Sequence, residues 1–238
     1  MARAAEEHGL FGVLAGGDNP LTAITAAVYA STATDFVRVV VRVELGHEHP
    51  VTMAEELSIL DNTNNGRTVV LVDGGALRNA DARDELAVLR EALGNRPLRH
   101  EGPRWKVPAG LPANAQAPKS IAVTPKPAQV EVPFWLTGEF ASGLPVVAGE
   151  LAGVDTRSSV QPAMAGISGS LERDRELVST WAEAGATHLL LELPPGSDPQ
   201  SVMTMISRHL APEVGMPHFP RVMSHSRVPL PWPGDGRA

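Results

Sequence analysis

The sequence predicts an α/β fold in which a parallel sheet is connected by crossover helices. Apolar runs rich in β-branched residues alternate four or five times with helical patterns along the chain. Two parallel strands need a long crossover between them, and a helix usually supplies it. The core can be large, because 43% of the 238 residues are apolar. An open doubly wound sheet and a (β/α) barrel both satisfy this pattern.

Three short patterns open the chain. The stretch "ARAAEEHG" is typical of the last turns of a helix that ends at a glycine, and "LFGVLAGG" is typical of a short buried strand. A further helix is predicted over "LTAITAAVYAST". Asp18 or Asn19 is predicted to cap it, because their side-chain oxygens can accept hydrogen bonds from the first free N–H groups.

The clearest strand is followed by the clearest helix. "FVRVVVRVEL" is rich in β-branched residues and predicts a strand. "HPVTMAEELSIL" has apolar residues at helical spacing, and "DNTNNG" after it predicts a turn. "RTVVLVDGG" then predicts a second strand that ends in glycines. The sequence therefore predicts a strand–helix–strand unit here.

Arg38 and Arg42 lie on one face of the first of these strands, because side chains alternate between the two faces. Both side chains could face a barrel interior or a partner subunit. An unpaired charge inside a barrel is costly, so a partner subunit or an ion pair with Glu44 is the simpler expectation. Arg67 follows a helix and a turn, and it is expected to bond the carbonyl groups at a helix C-terminus.

The second half contains a long proline-rich segment. "DARDELAVLREALGN" predicts an amphipathic helix, and residues 96–132 are too long for an ordinary connection, so they form either a functional excursion or a disordered segment. The remaining predicted elements are a strand in "PFWLTG", a helix in "LPVVAGELAG", a helix and a strand in "LERDRELVSTWAEAGATHLLLELPP", and a final helix in "DPQSVMTMISRHLAPEV". We expect one domain over residues 1–214 and a flexible tail over residues 215–238.

The composition excludes several kinds of site and partner. The chain has no cysteine, which excludes disulfides, thiolate metal sites and a cysteine nucleophile. The formal net charge of -7 and the dispersed arginines offer no basic stripe to a nucleic acid. No apolar run approaches the roughly 18 residues of a membrane span, and the N-terminus has no apolar signal core. We expect a cytoplasmic protein that binds neither nucleic acid nor membrane.

The stretch from His49 to Gly75 resembles the segment "HP…AEE…LD…S.GR…G.G.G" of the bacterial luciferase-like, flavin-dependent monooxygenases. The matching residues are His49, Pro50, Ala54, Glu55, Glu56, Leu60, Asp61, Gly66 and Arg67. Flanking segments follow the family's order, so the resemblance covers Ala2 to Leu210. It implies a (β/α)8 barrel of the TIM-barrel type with a reduced flavin at the C-terminal ends of its strands. The cofactor implied is FMN, or the deazaflavin F420.

Two departures from the family's pattern concern the fold and the cofactor. The family begins with an additional strand and has a longer stretch between the strand at Trp135 and the helix at Leu171. We therefore expect an incomplete barrel, with its first strand missing and its second half shortened.

Leu71, Asp73 and Gly74 replace the residues that the family usually has at the flavin-contacting strand. A carboxylate close to a phosphate or an electron-rich ring is unfavourable unless it is paired.

Six residues at the ends of two predicted strands are the candidate cofactor-binding residues. They are Asp73, Gly74, Gly75, Thr137, Gly138 and Ser142. The first three either let the backbone approach a flat cofactor or its phosphate, or form a tight strand-to-helix turn. The last three either present free N–H groups and hydroxyls to an anion or include an N-cap at Ser142. The resemblance places the flavin phosphate near the last three.

His47 is the candidate catalytic residue, as a general acid or base beside the flavin. His49, which precedes a proline, is expected to belong to the turn that starts a helix. The two histidines have no third ligand on their loop, so no metal site is predicted. Trp105 lies in the proline-rich excursion, where it either covers the site or anchors the loop.

The interpretation that we favour is a flavin-dependent oxidoreductase or monooxygenase that acts on a small organic substrate. It would use reduced FMN supplied by a separate reductase, or F420, and no glycine-rich fingerprint for NAD(P)H is apparent. The alternative is a catalytically silent paralogue that binds flavin or stabilises another subunit. An incomplete barrel exposes a sheet edge, so we expect a homodimer or a heterodimer with a paralogous subunit.

Overall fold

The computed structural model describes residues 1–16, 22–109, 119–137, 162–183 and 188–212, and in them strands and helices alternate. The helices are α1 (Ala2–Glu7), α2 (Ala23–Ala33), α3 (Pro50–Thr63), α4 (Ala80–Leu93), α5 (Leu171–Glu183) and α6 (Pro199–Met205). The strands are β1 (Gly12–Ala15), β2 (Arg38–Val43), β3 (Thr68–Asp73), β4 (His100–Glu101), β5 (Lys106–Val107), β6 (Phe134–Thr137), β7 (Pro162–Gly166) and β8 (His188–Glu192). A 3₁₀ turn (Gly74–Arg78) precedes α4 and a π-helical turn (Ile206–Leu210) follows α6.

Parallel pairing dominates the described sheets. One sheet has the strand order β1-β2-β3-β6 with every pair parallel, and β7 pairs with β8 in parallel. β4 and β5 form a small antiparallel hairpin within the proline-rich segment. Within the described ranges no ladder joins the two parallel units into a closed barrel. The predicted parallel α/β fold is confirmed, whereas the expected loss of the first strand stays a prediction.

One face of the four-stranded sheet packs against the helices. Val39, Val41 and Val43 of β2 and Val70 and Val72 of β3 lie in the largest apolar cluster. Leucines from α3 and α4 complete this cluster, among them Leu57, Leu60, Leu86 and Leu89. Each fully buried aliphatic side chain of this kind contributes about 1.5–3 kcal/mol. Burial of β2 and β3 on both faces explains their continuous valine runs, which parallel sheets require.

The structure differs from the sequence expectations at two places. β7 was not predicted, because "PAMAG" has a proline and small residues of low strand propensity, and pairing with β8 places it in a sheet. Thr22 occupies the N-cap position of α2, and Asp18 and Asn19 lie outside the described residues. The helix predicted over residues 144–153 and the tail also lie outside them.

Arg67 joins two helix ends to the start of the sheet, which confirms its predicted role. Its Nε donates to Asn64 O at 2.8 Å, beyond the end of α3. Its Nη2 donates to Thr34 O at 2.8 Å and Ser31 O at 3.2 Å, at the end of α2. Its Nη1 donates to Val37 O at 2.7 Å and to the hydroxyl of Thr34 at 3.1 Å. All five guanidinium N–H donors therefore have partners.

Asp61 makes a second junction at the same end of the sheet. This fully buried carboxylate accepts from the backbone N of Gln129 at 2.9 Å, from its side-chain Nε2 at 2.7 Å, and from Thr68 N at 3.3 Å. The Gln129 Oε1 in turn accepts from Arg38 Nη1 at 3.2 Å, which also donates to Gly66 O at 3.3 Å. The proline-rich segment is thereby held against the N-terminal ends of β2 and β3.

Candidate functional site

The face of the sheet that points away from the helices is mainly apolar. Val40, Val69, Leu71 and Trp135 are buried together on this inner face, with Leu14 and Leu190 packed against them. Leu190 comes from β8, so the second parallel unit contributes to the same cluster. These four side chains are almost fully buried, so the inner face forms an apolar floor that other parts of the chain cover.

Three rings fill the inner face near the N-terminal ends of the strands. The rings of Phe11 and Trp135 stack with centroids 5.7 Å apart, and the ring of His188 lies 4.7 Å from each of them. Burial lowers the pKa of His188, because its charged form would lose hydration in this apolar cluster. Each ring belongs to a residue within one position of the first residue of its strand.

His47, the predicted catalytic residue, lies in the loop that follows β2. Its Nε2 is 3.0 Å from Glu44 Oε1, and the two side chains are 54% and 52% exposed. Glu44 thus pairs with His47, which corrects the expected ion pair between Glu44 and an arginine of β2. A histidine that is both accessible and paired with a carboxylate can exchange a proton with a bound molecule.

His49 begins α3, as the sequence predicts. Its Nδ1 accepts a hydrogen bond from Val51 N at 3.2 Å, and Pro50 is the first residue of the helix. The His49 ring also packs edge-on against Trp105, with centroids 4.6 Å apart. Trp105 therefore anchors the proline-rich segment beside the loop that carries His47.

Asp73 and the two glycines after it form a capped turn at the exit of β3. Asp73 Oδ1 accepts from Gly75 N at 2.9 Å and caps the 3₁₀ turn that starts at Gly74. This hydrogen bond supports the strand-to-helix interpretation of the three residues. The same hydrogen bond gives the Asp73 carboxylate a partner. A paired carboxylate is less unfavourable beside a phosphate or an electron-rich ring than an unpaired one. Their contact with a cofactor stays a prediction.

Thr137 ends β6 directly beside Asp73 in the parallel register. The backbone of this candidate residue therefore stands at the C-terminal end of the sheet, next to the exit of β3. Gly138 and Ser142, the other two candidates from this segment, lie outside the described residues. The C-terminal ends of β2, β3 and β6 therefore lie at the same end of the sheet, as parallel strands require.

A buried polar cluster fixes the β4–β5 hairpin to α4, and the sequence analysis missed it. The Asp84 carboxylate accepts from Arg104 N at 3.0 Å and Trp105 N at 2.8 Å, and lies 2.8 Å from His100 Nε2. His100 Nδ1 is 3.4 Å from a Glu91 oxygen. Burial raises the pKa of Asp84, but these hydrogen bonds outweigh burial and hold the pKa below its usual value. No short motif marks such a cluster, because its members are up to 21 positions apart.

Two buried polar atoms of the described residues have no hydrogen-bond partner, and both belong to side chains that contact the loop after β2. They are Glu85 Oε2 and Trp105 Nε1. The other oxygen of Glu85 accepts from Gly46 N at 2.7 Å, in the same loop as His47. Buried polar groups are nearly always satisfied in native proteins, so an acceptor and a donor are left here for water or a ligand.

Within the described ranges, no group of three or more His, Cys, Asp or Glu side chains has the geometry to hold a metal ion. Among those residues, no helix combines the length and the apolar character that crossing a membrane demands.

Comparison with known proteins gives matches in structure and none in sequence. No protein-family model matches the chain, and no curated protein does so either. A coenzyme F420-dependent tetrahydromethanopterin reductase from Methanopyrus kandleri has a TM-score of 0.62 at 11% identity, covering 90% of this chain and 94% of that one. Monooxygenase RslO1 from Streptomyces bottropensis has a TM-score of 0.51 at 15% identity, covering 89% and 72%.

These likenesses define the class of fold. The chain shares the overall α/β fold of these two solved proteins over most of its length. At 11% and 15% identity they show the fold alone. Fold does not settle function, so the chemistry has to be argued from the residues at the C-terminal ends of the strands.

Proposed function

We propose that this chain is a flavin-dependent oxidoreductase that binds reduced FMN or F420 at the C-terminal ends of β2, β3 and β6. A small organic substrate would react beside it. One of the similar structures is named as an F420-dependent reductase and another as a monooxygenase, which supports a redox function. In barrel enzymes the active site lies at the same end of the strands.

The observation that carries the proposal is the difference between the two ends of the inner face. The rings of Phe11, Trp135 and His188 fill the N-terminal end. At the other end the described structure has accessible polar groups around the apolar floor, namely the Glu44–His47 pair and the capped turn at Asp73. An apolar floor with a few convergent polar groups is the usual form of a small-molecule site.

One feature of the described residues fits a flavin. The backbone at Gly74 and Gly75 has no side chains to obstruct the approach of a planar ring or its phosphate. A bound flavin would supply hydride or oxygen chemistry, for which protein side chains have no equivalent. The chain would contribute orientation of the ring, exclusion of water and proton transfer.

His47 would transfer the proton. Its Nε2 faces Glu44, which orients the ring and stabilises the imidazolium after a proton is taken up. Because the pair is half-exposed, substrate and solvent can both reach it. We expect His47→Gln to lower turnover about 100-fold, in line with the usual contribution of a general acid or base, and to leave flavin affinity unchanged.

The test of the function is the visible absorbance of the purified protein, followed by titration with FMN and with F420. We expect a bound flavin spectrum or micromolar affinity for one of the two. Substrate screening with a separate flavin reductase would follow, using wild type and His47→Gln in parallel. Affinity for neither cofactor, in protein that is folded by circular dichroism, would refute the proposal.

A second candidate function is a catalytically silent subunit that binds flavin or stabilises a paralogous chain. Its support is the exposure of large apolar side chains on adjacent helices, with Tyr29 of α2 72% exposed and Ile59 of α3 54% exposed. A partner subunit would bury them. Light scattering that gives a dimer, together with flavin binding and no turnover on any substrate tested, would favour this candidate.

A further inference from the structure

Arg38 and Arg42 lie on the same face of the same strand, at its two ends. Side chains alternate along β2, and Val39, Val41 and Val43 belong to the cluster on the helix side. Val40, between the two arginines, belongs to the inner cluster. Both arginines therefore project from the inner face, and both are half-buried.

The two side chains have opposite environments. Arg38 Nη1 donates to Gly66 O at 3.3 Å and to Gln129 Oε1 at 3.2 Å, so it belongs to the polar network at the N-terminal end of the sheet. Arg42 takes part in none of the hydrogen bonds or ion pairs between described side chains. Its neighbour in the parallel register is Leu71 of the apolar floor.

The carboxylates near Arg42 already have other partners. Glu44, two positions along the chain from Arg42, pairs with His47 at 3.0 Å. Asp73 projects from the same face of β3 two positions beyond Leu71, and its Oδ1 accepts from Gly75 N at 2.9 Å. A half-buried guanidinium above an apolar floor loses hydration, and a counter-ion is needed to compensate.

We propose that Arg42 binds a negatively charged group of the ligand at this site, either the phosphate of a flavin mononucleotide or the carboxylate of an anionic substrate. The inference rests on the ligand site of the proposed function and adds the charge of what it takes. A guanidinium presents paired N–H donors that match the oxygens of a phosphate or a carboxylate, which an ammonium group cannot do in the same way. Arg42 would thus determine specificity for an anion.

The first experiment uses anions alone, so that its result does not depend on flavin binding. Inorganic phosphate and benzoate are titrated by calorimetry into wild type, Arg42→Met and Arg42→Lys at constant ionic strength, with benzamide as the neutral analogue of benzoate. We expect wild type to bind at least one anion and to prefer benzoate to benzamide. Arg42→Met should weaken anion binding about 10-fold to 100-fold, and Arg42→Lys should restore part of it.

Cofactor titrations then identify the source of the charge. If the anion is the cofactor phosphate, Arg42→Met should lower FMN affinity and leave riboflavin affinity unchanged. If it is the substrate carboxylate, both flavins should bind the variant as they bind wild type, and only benzoate should lose affinity. Arg38→Met is the matched control on the same strand face, and it should reduce stability without changing either affinity.

Three outcomes would overturn the proposal. The first is that wild type binds neither anion more tightly than benzamide. The second is that folded Arg42→Met binds phosphate, benzoate and FMN as wild type does. The third is an equal loss of riboflavin and FMN affinity, which would make Arg42 a packing residue. A wild type that binds anions through Arg42 but no flavin would refute the proposed function and leave this inference standing.

Discussion

The two ends of the parallel sheet are built in opposite ways. At the N-terminal end Arg67 uses all of its donors, Asp61 accepts three hydrogen bonds, and the Glu6 carboxylate accepts from three consecutive backbone N–H groups after α2. At the C-terminal end Glu44 and His47 are half-exposed, and Asp73 holds only a local turn. The N-terminal side chains tie separate segments of the chain together, whereas these three do not.

The difference between the two ends of the sheet also shows which features the resemblance to the luciferase-like family can predict. Asp61, Gly66 and Arg67 all match the family's motif, and all three lie at the N-terminal end of the sheet. Residues at that end of a barrel serve stability, whereas residues at the other end serve catalysis. At these three positions the motif concerns the fold, and it says little about a reaction.

The largest loss of stability is expected from Asp61→Ala. The change removes a fully buried carboxylate and leaves Thr68 N and the two Gln129 donors without an acceptor. An unsatisfied buried donor costs about 1–3 kcal/mol, so we expect a loss of about 3 kcal/mol or more in the free energy of unfolding. Urea denaturation measures it.

Asp61→Asn is the control for this prediction. The amide keeps one oxygen acceptor and nearly the same volume, so it should lose less stability than the alanine variant. If both variants unfold at the wild-type urea concentration, the N-terminal end of the sheet does not hold the fold as we infer.

Gly102→Ala is expected to have the next largest effect, in the β4–β5 hairpin. A Cβ at this position would collide with the Asp84 carboxylate and the His100 ring. Since overpacking usually costs about 1–3 kcal/mol, we expect a loss in this range. Gly46→Ala is a useful comparison, because a Cβ there meets no atom within 4 Å, although its backbone φ of +98° adds strain of a different origin. A wild-type melting temperature for Gly102→Ala would argue against tight packing at the cluster.

Local patterns predicted most of the fold and little of the candidate site. The strands β2 and β3 follow from their valine runs, because both faces of these strands are buried. The helix α3 follows from apolar residues at helical spacing. β7 was missed because pairing with β8, and not its own composition, makes "PAMAG" a strand. The Asp84 cluster and the unpaired Glu85 oxygen depend on contacts between distant segments, which periodicity does not encode.

His188 should make stability depend on pH in the acid range. Burial lowers its pKa in the folded chain below the ordinary value of 6.5, so below that pH the unfolded chain binds more protons than the folded one. Stability should therefore be complete above about pH 6.5 and fall as the pH decreases towards the folded-state pKa. His188→Gln should make the urea midpoint less dependent on pH between pH 7 and pH 5. His209→Gln, at an exposed histidine, is the control for the substitution itself. An unchanged slope in His188→Gln would contradict the inference.

The smallest effect on stability is expected at the Glu44–His47 pair. Both side chains are more than half exposed, so solvent screens the interaction at 3.0 Å. A double-mutant cycle with Glu44→Gln and His47→Gln should give a coupling of about 0.5 kcal/mol or less in the free energy of unfolding. Under the proposed function the same two variants should also lower turnover, because His47 would transfer the proton. A coupling above about 2 kcal/mol would instead place this pair with Asp61 and Arg67, and the division between the two ends of the sheet would fail.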